Sequence, residues 1–415
     1  MFNQMKKILN HFPKIKKIIK DIISLLYIIT SHGRKKSYGN IIKISPDDGY
    51  EYFFGYYDKS PWDSTGRYIL CLKAKCTYKS AAPADEAKIV MFDTYNHTTI
   101  ELGTTHTWNT QQGCMLQWLG PDFHTKIIYN DFINSQYCSV IMDINTRKKN
   151  ILNMPVYSVS DSGKFALSLD FSRLHRLRPG YGYSNLKDKT EGELLPDKAC
   201  IWKINLEDGS IEEILRYKDF YNLDTREDMK NAEHKVNHIM INPTGDRFMV
   251  LHRWLKNEKK YTRLVTCNID GSDMYNLSDD NFVSHCCWKN DREILAYERK
   301  NNTDGFYLMK DQTQKYKHMW DFIIEDGHPT YSPDKKNIVA DTYPDKRRMS
   351  QIYLLNEKNQ CEKKVIAKVY SPFKYYDEFR CDLHPRWSRE GNKICFDGVF
   401  EGKRALYYVN IKTKE

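Results

Sequence analysis

The sequence predicts an all-β fold, a seven-bladed β-propeller with a short N-terminal amphipathic helix. Three observations support this prediction. One sequence pattern recurs seven times after residue 52, and repeats of about 40–60 residues are typical of propellers and solenoids. Each copy contains four strand-like segments, which is the strand count of a propeller blade. Aromatic residues make up 13% of the 415 residues, a level typical of strand-rich folds.

The N-terminal segment, residues 1–39, is basic and amphipathic. Isoleucines and leucines between Ile18 and Ile29 recur at helical spacing, which predicts a cationic helix suited to an anionic membrane interface. Its apolar run is shorter than the ~20 residues of a membrane-spanning helix. We therefore expect a cytoplasmic protein peripheral to the inner membrane. A cleaved secretory signal, with an exported or periplasmic protein, and a helix packed on the protein body are the alternatives.

The repeats begin with a polar residue and histidine, continue through two strands joined by a turn, and end with a third strand and a strand-like tail. Four clear copies start at Asn237, Ser284, Gly327 and Leu383, and weaker copies start near Asp58, Gln111 and Val156. A small sheet of this kind buries its faces only against neighbouring sheets, so seven copies close into a ring. This pattern excludes helical bundles and doubly wound α/β folds.

The last copy stops soon after its third strand and lacks an outer strand of its own. Residues 40–45 (NIIKIS) precede the first copy and have no other blade. We predict that this segment joins the last blade as its outer strand, because a closed ring leaves no open sheet edge. One propeller domain then spans residues 40–415.

Four histidines occupy the same position in the clear copies, at the start of the innermost strand. These positions converge on one mouth of the central channel, and neutral imidazole is the commonest transition-metal ligand. A thiolate three residues before the last histidine could add a further ligand. We therefore predict a divalent ion (Zn, Mn or Ca) held by His285, His328, His384 and Cys381. A lone histidine at such a position is more often structural, and for His238 both interpretations stay open.

The loops on the same face are rich in Arg, Tyr, Trp and Gln. The third-blade loop from Phe171 to Tyr183 contains several basic residues and ends in Pro-Gly-Tyr-Gly-Tyr. It is either a solvated basic face or a shaped loop that presents rings beside guanidinium groups, an arrangement suited to a sugar acid. The candidate substrate-binding residues on this face are Trp108, Gln112, Arg178, Tyr183 and Arg347.

Nucleic acid is excluded as the anionic partner by the distribution of charge and by the motifs. The net charge is +10, but most of it belongs to the first 36 residues. No helix-turn-helix, RNA-recognition or zinc-finger pattern is found, nor a phosphate-binding glycine loop or a nucleophile elbow. For the ring, the expected partner is therefore an acidic polysaccharide or oligosaccharide.

Two segments carry a family resemblance: DGHPTYSPD (326–334) and DLHPRWSREGNKICFDGVFEGKRALYYV (382–409). They resemble the propeller-type polysaccharide lyases, the oligogalacturonate lyase and ulvan lyase group, and the match covers nearly everything after Tyr52. The resemblance implies β-elimination on a uronate-containing glycan. In oligogalacturonate lyases it also implies a central metal held by histidines that match His328 and His384. Where that family has a further histidine, this chain has Asp382.

β-Elimination needs a group that neutralises the uronate carboxylate, a base that takes the C5 proton, and an acid for the leaving oxygen. The resemblance implies a His or Tyr base and an Arg on the channel face. The candidates are Arg173 or Arg253 as neutraliser, His238 or His252 as base, Tyr181 or Tyr343 as acid, and His175 without an assigned role. The alternative function is a non-catalytic glycan-binding or biosynthetic partner in bacterial surface-polysaccharide production at the inner membrane.

Overall fold

The computed structural model describes residues 13–30 and 37–411. Within them, 28 strands form seven four-stranded antiparallel sheets, which confirms the predicted seven-bladed propeller. Blades 1 and 2, from the channel outwards, contain Glu51–Phe53, Tyr68–Ala74, Ala87–Asp93 and Thr98–Thr105 (β2–β5), then Gln117–Trp118, Lys126–Ile133, Gln136–Asp143 and Lys149–Leu152 (β6–β9).

The remaining blades follow the same order along the chain. Blades 3 and 4 contain Ser158–Val159, Phe165–Leu169, Ala199–Asn205 and Ile211–Arg216 (β10–β13), then Glu233–Ile241, Arg247–Lys256, Lys259–Asn268 and Tyr275–Ser278 (β14–β17). Blades 5 and 6 contain Val283–Trp288, Glu293–Lys300, Thr303–Lys310 and Tyr316–Met319 (β18–β21), then Thr330–Tyr331, Asn337–Asp341, Met349–Asn356 and Lys363–Tyr370 (β22–β25). Blade 7 contains Arg386–Trp387, Lys393–Gly398 and Ala405–Asn410 (β26–β28).

Blade 7 takes its outer strand from the start of the chain. Ile41–Lys43 (β1) pairs antiparallel with β28, and Ile41 lies opposite Val409. Ile41 also packs against the hydrophobic cluster of this blade. The first and last strands of the propeller thus lie side by side in one sheet, and this pairing closes the ring and covers the edge of β28.

The α-helices of the described residues are Pro13–Thr30 (α1), Phe171–Leu177 (α2) and Tyr217–Asn222 (α3). Helix α1 corresponds to the predicted amphipathic helix, while the flanking basic residues Lys6, Lys7, Arg34, Lys35 and Lys36 lie outside the described residues. No helix in the described part of the chain is both long and apolar enough to cross a membrane.

Tryptophans join neighbouring blades near the channel. The indole N–H of Trp118 donates to the Pro61 carbonyl of the preceding blade at 2.9 Å, and Trp288 donates to the Met240 carbonyl at the same distance. The Trp387 indole donates to the Thr330 carbonyl at 3.1 Å. A buried indole needs a hydrogen-bond partner, so each such bond fixes one innermost strand against the next.

The innermost strands bend where the histidines lie. The pairing of β14 with β15 is irregular between Asn237 and Met240, and that of β18 with β19 between Val283 and Cys286. His238 and His384 adopt φ values of 55° and 45°, which are uncommon for residues other than glycine. Bulges of this kind re-aim side chains, and here they coincide with the histidines of the channel.

Candidate metal centre and cationic site

The predicted histidines converge at one mouth of the channel, around two tyrosines that the sequence analysis did not single out. The ring centroids of His285 and His328 lie 4.0 Å apart, and those of His328 and His384 lie 4.3 Å apart. Tyr56 lies 5.2 Å from His238 and 5.0 Å from His384 by the same measure. Tyr57 follows Tyr56 and lies 5.2 Å from His328. The channel is therefore filled by aromatic rings at this level.

Three of the channel residues form a group with the geometry of a metal site. His328, Asp382 and His384 are buried, and each offers one ligand atom within 4.8 Å of the others. The Nε2 atoms of both histidines and Oδ2 of Asp382 have no hydrogen-bond partner among the described residues. A buried polar atom without a partner costs about 1–3 kcal/mol, and a divalent cation would satisfy all three atoms. The donor set therefore fits the metal that the resemblance implies.

The other polar atom of each residue in this group is held by a neighbour. Nδ1 of His328 donates to Asp341 Oδ1 at 2.8 Å, and Nδ1 of His384 donates to the Gly55 carbonyl at 2.7 Å. Supports of this kind fix the tautomer and orientation of ligating histidines in metal sites. They leave Nε2 as the nitrogen with a free lone pair.

A guanidinium group holds the carboxylate of the group. Nε of Arg380 donates to Asp382 Oδ1 at 2.7 Å. Burial alone would lower the pKa of Arg380, but the carboxylate of Asp382 raises it above its usual value. One oxygen of Asp382 is thereby fixed, and the other is left for a cation.

Asp341 lies at the end of β23 and links the two histidines. In addition to the His328 ring, its carboxylate accepts the backbone N–H of His328 at 2.8 Å and that of His384 at 3.0 Å. Burial alone would raise the pKa of Asp341, but the charge and hydrogen bonds of His328 lower it. Burial alone would lower the pKa of His328, and Asp341 raises it instead. Each residue of this buried pair therefore shifts the pKa of the other toward its charged form.

The structure places the other two predicted metal ligands differently. His285 lies beside His328, but its Nδ1 is 3.0 Å from Asp326 Oδ1 and it is not part of the three-residue group. Cys381 packs with Tyr375 and Val399, and burial raises its pKa to about 12. Successive residues of an extended chain point to opposite sides. Asp382 therefore joins His384 at the channel, while Cys381 faces the blade interior.

A cationic cluster lies beside Tyr181, whose ring contacts that of Tyr56. It consists of Arg178, Lys235, Arg253 and Lys260. Burial and the charges of the other three members lower the Lys235 pKa far below its usual value. The charge of Arg253, then burial and Arg178, lower the pKa of Lys260 to about 8. In the described ranges no carboxylate forms an ion pair with any of the four, and Glu233 pairs with Arg176 instead. The cluster therefore has a local excess of positive charge.

Arg253 and Lys235 are the buried members of this cluster. Arg253 lies opposite Lys235 in the pairing of β14 with β15, and its Nε has no hydrogen-bond partner among the described residues. Burial and the charge of Arg178 lower its pKa. A buried guanidinium with an unused N–H is suited to an anionic ligand, because a carboxylate would supply both charge and hydrogen-bond acceptors.

Three further predicted residues, His238, Tyr181 and Tyr343, lie beside the cationic cluster or the metal group. The Tyr56 hydroxyl is 2.6 Å from Nδ1 of His238, and burial lowers the pKa of His238 far below its usual value. The Tyr181 ring lies 6.2 Å from the rings of Tyr56 and His238, with the Arg178 guanidinium 5.2 Å above it. The Tyr343 ring lies 5.8 Å from His328, under Arg380 at 4.7 Å.

Two predicted catalytic residues are engaged elsewhere by their own hydrogen bonds. The Arg173 guanidinium is buried and donates to the backbone carbonyls of His234, Thr190 and Glu193. His252 uses both ring nitrogens, because Nδ1 is 3.1 Å from Arg263 Nε and Nε2 is 2.9 Å from Nδ1 of His234. The structure therefore does not bring either residue to the channel cluster. Their positions in the repeat indicated the correct face but not the direction of the side chain.

The remaining predicted residues also lie apart from the metal group. Trp108 is buried in the hydrophobic core and donates to the Asp85 carbonyl, and Tyr183 stacks on Phe171 with 4.4 Å between centroids. Gln112 donates to the Tyr157 hydroxyl at 2.8 Å. His175 is half-buried in α2, where burial lowers its pKa, and Arg347 is exposed.

Sequence reasoning missed Tyr56, Tyr57, Asp326, Asp341, Arg380, Lys235 and Lys260. A usable signal existed for two of them. Asp341 follows His328 after one innermost strand and the next strand back, so both residues return to the same face. Arg380 and Asp382 are two residues apart, which places them on one side of an extended chain. For the lysines only inter-strand pairing reveals the site.

The solved structures that resemble this chain over most of its length include two oligogalacturonate lyases. One is an oligogalacturonate lyase in complex with manganese, with a TM-score of 0.64 and 14% identity, covering 91% of this chain and 96% of that one. The other is an oligogalacturonate lyase from Vibrio parahaemolyticus, with a TM-score of 0.62 and 12% identity, at 91% and 96% coverage. No protein-family model matches the sequence, and no curated protein matches it. The chain thus shares with these lyases the fold of a seven-bladed β-propeller.

Proposed function

We propose that this protein is a metal-dependent polysaccharide lyase that binds a uronate-containing oligosaccharide at the channel mouth and cleaves it by β-elimination. The observation that carries this proposal is the unpaired cationic cluster next to a His/Asp metal group. Arg253, buried with a free Nε–H, can bind a carboxylate. Tyr56 contacts both Tyr181, which lies beside the cluster, and His384 of the metal group. Both structural neighbours named above are oligogalacturonate lyases.

His328, His384 and Asp382 would hold the metal ion. When bound, the ion would supply positive charge that acidifies the hydrogen next to a sugar carboxylate. Two imidazoles and one carboxylate suit a divalent transition metal with open coordination positions. We propose manganese first, because one neighbour is a manganese complex.

We assign the proton transfers to His285 and Tyr343. Nδ1 of His285 is held by Asp326 at 3.0 Å, so Nε2 is the nitrogen that can accept a proton, and Asp326 would stabilise the resulting imidazolium. Burial and the charge of His328 lower the pKa of His285, so the ring is neutral at pH 7, as a base must be. Burial raises the Tyr343 pKa well above its usual value, which keeps the phenol protonated for donation to the leaving oxygen.

The test is an assay of the purified protein, stripped with chelator and reloaded with manganese, on oligogalacturonates and other uronate glycans. We expect far-ultraviolet absorbance of an unsaturated product, and we expect its loss without metal and in His384→Ala. Arg253→Gln should lower kcat/KM at least tenfold, because removing a charged hydrogen bond costs about 1.5–3 kcal/mol. Arg292→Gln changes an exposed arginine in the turn between β18 and β19, at the end of these strands away from His285. This variant is the matched control and should leave the rate unchanged.

The alternative function, a non-catalytic glycan-binding or biosynthetic partner, predicts a different result for the same experiment. If calorimetry finds glycan binding that depends on Arg253 but no substrate yields an unsaturated product, the lyase proposal is wrong and the binding function stands. If Arg253→Gln and Arg292→Gln behave alike in both measurements, the cationic cluster is not the glycan site.

A further inference from the structure

Helix α1 has an uncovered apolar face. Ile18, Ile22, Leu25 and Ile29 are between 50% and 64% exposed. At about 100° per residue they form one stripe along the helix. Ile19 and Ile23 lie beside this stripe and are also exposed. A surface helix normally buries such a stripe against its own protein, so this face is available for another surface.

The sequence around this face is strongly cationic. Between residues 6 and 36 a single acid, Asp21, accompanies nine basic residues: Lys6, Lys7, Lys14, Lys16, Lys17, Lys20, Arg34, Lys35 and Lys36. Helical spacing puts Ser24 on the side of the helix away from Ile22. A second copy of this segment would bring like charges together, whereas anionic lipid supplies both an apolar layer and negative charge.

We propose that α1 binds in the plane of an anionic membrane surface and tethers the propeller there. The exposed isoleucines and leucine enter the boundary between headgroups and acyl chains, while the lysines contact lipid phosphates. The proposal does not depend on the lyase activity.

The test is sedimentation of the full-length protein with vesicles of phosphatidylcholine containing one-third phosphatidylglycerol, and with vesicles of phosphatidylcholine alone. We expect binding to the anionic vesicles that weakens as salt is raised, and at least tenfold weaker binding to the neutral ones. The double variant Ile22→Gln/Ile29→Gln should reduce partitioning to anionic vesicles at least tenfold. Ser24→Gln, which changes the polar side of the same helix, should bind like the original protein.

Circular dichroism and thermal unfolding of each variant check that the propeller itself is folded. Equal binding of the double variant and the Ser24 variant would overturn the proposal, as would binding that ignores anionic lipid. Sedimentation velocity without vesicles provides the rival outcome: self-association that is abolished by Ile22→Gln/Ile29→Gln, with no vesicle binding, would assign the face to a second copy of the chain.

Discussion

At the scale of single residues, Asp341 determines how the channel group is organised. Its carboxylate contacts the ring of His328 and the backbone N–H groups of His328 and His384. It thus positions both imidazoles without being one of the three residues whose ligand atoms converge. A carboxylate behind a ligating histidine usually strengthens the metal–ligand bond.

We expect Asp341→Asn to weaken manganese binding about 10–100-fold, because the amide cannot supply the charge that supports His328. Isothermal titration calorimetry of the metal-free protein measures this affinity. Asp326→Asn is the matched control, since Asp326 supports His285 and contacts neither metal-group histidine by a hydrogen bond. Equal losses in both variants would show that Asp341 has no special link to the metal site.

At the residue scale, the sequence predicts some residues of the site but not the direction of their side chains. His328 and His384 follow from their repeated position before the innermost strand. Asp382 and Cys381 are adjacent in sequence, and only the direction of the chain decides that the carboxylate faces the channel while the thiol packs beside Tyr375. A one-residue difference in an extended segment reverses the side to which a residue points.

At the scale of structural elements, β14 and β15 share a buried hydrogen-bond chain. Nε–H of Arg263 donates to His252, the Nε2–H of His252 donates to His234, and Nε2–H of His234 donates to the Met229 carbonyl. This order requires both imidazoles to be neutral, since each ring uses one nitrogen as acceptor. Burial lowers the pKa of His234 to about 4 and that of His252 far below its usual value.

We therefore expect the free energy of unfolding to fall as the pH drops from 6.5 towards 4. In the unfolded chain these histidines take up protons near pH 6.5, whereas the folded protein resists, so acid favours unfolding by about 1.4 kcal/mol per pH unit for each histidine. Urea unfolding at pH 7, 6 and 5 measures the slope. His234→Gln keeps a donor and an acceptor without a titrating proton, so its slope should be shallower. An unchanged slope in this variant would contradict the assignment.

At the scale of the whole molecule, one short strand closes the ring. Sheet edges are exposed wherever a blade lacks its outer strand, and β1 covers the edge of β28 in blade 7 through three residue pairs. The tryptophan hydrogen bonds between neighbouring blades then join blades of a closed ring. The stability of every blade thereby depends on this junction.

A truncation pair tests the importance of closure. We expect a chain of residues 37–415 to unfold at nearly the same temperature as the full protein, because it retains β1. A chain of residues 47–415 should unfold at a clearly lower temperature and aggregate, since β28 becomes an open edge. Differential scanning calorimetry and light scattering compare the two. Identical unfolding temperatures would mean that β1 contributes nothing to the ring.

The repeated, strand-rich ring and the face on which its histidines converge could be predicted from the sequence, because strand alternation and repeat period are local properties of the chain. The same pattern identified His328, His384, Arg253, Tyr181 and Tyr343 as residues of that face. Which side chains meet depends instead on the three-dimensional packing. The partnership of Asp341 with two histidines, the convergence of four cations, and the diversion of Arg173 and His252 into hydrogen bonds of the protein interior depend on pairing between strands and packing between blades, which the order of residues in one strand does not specify.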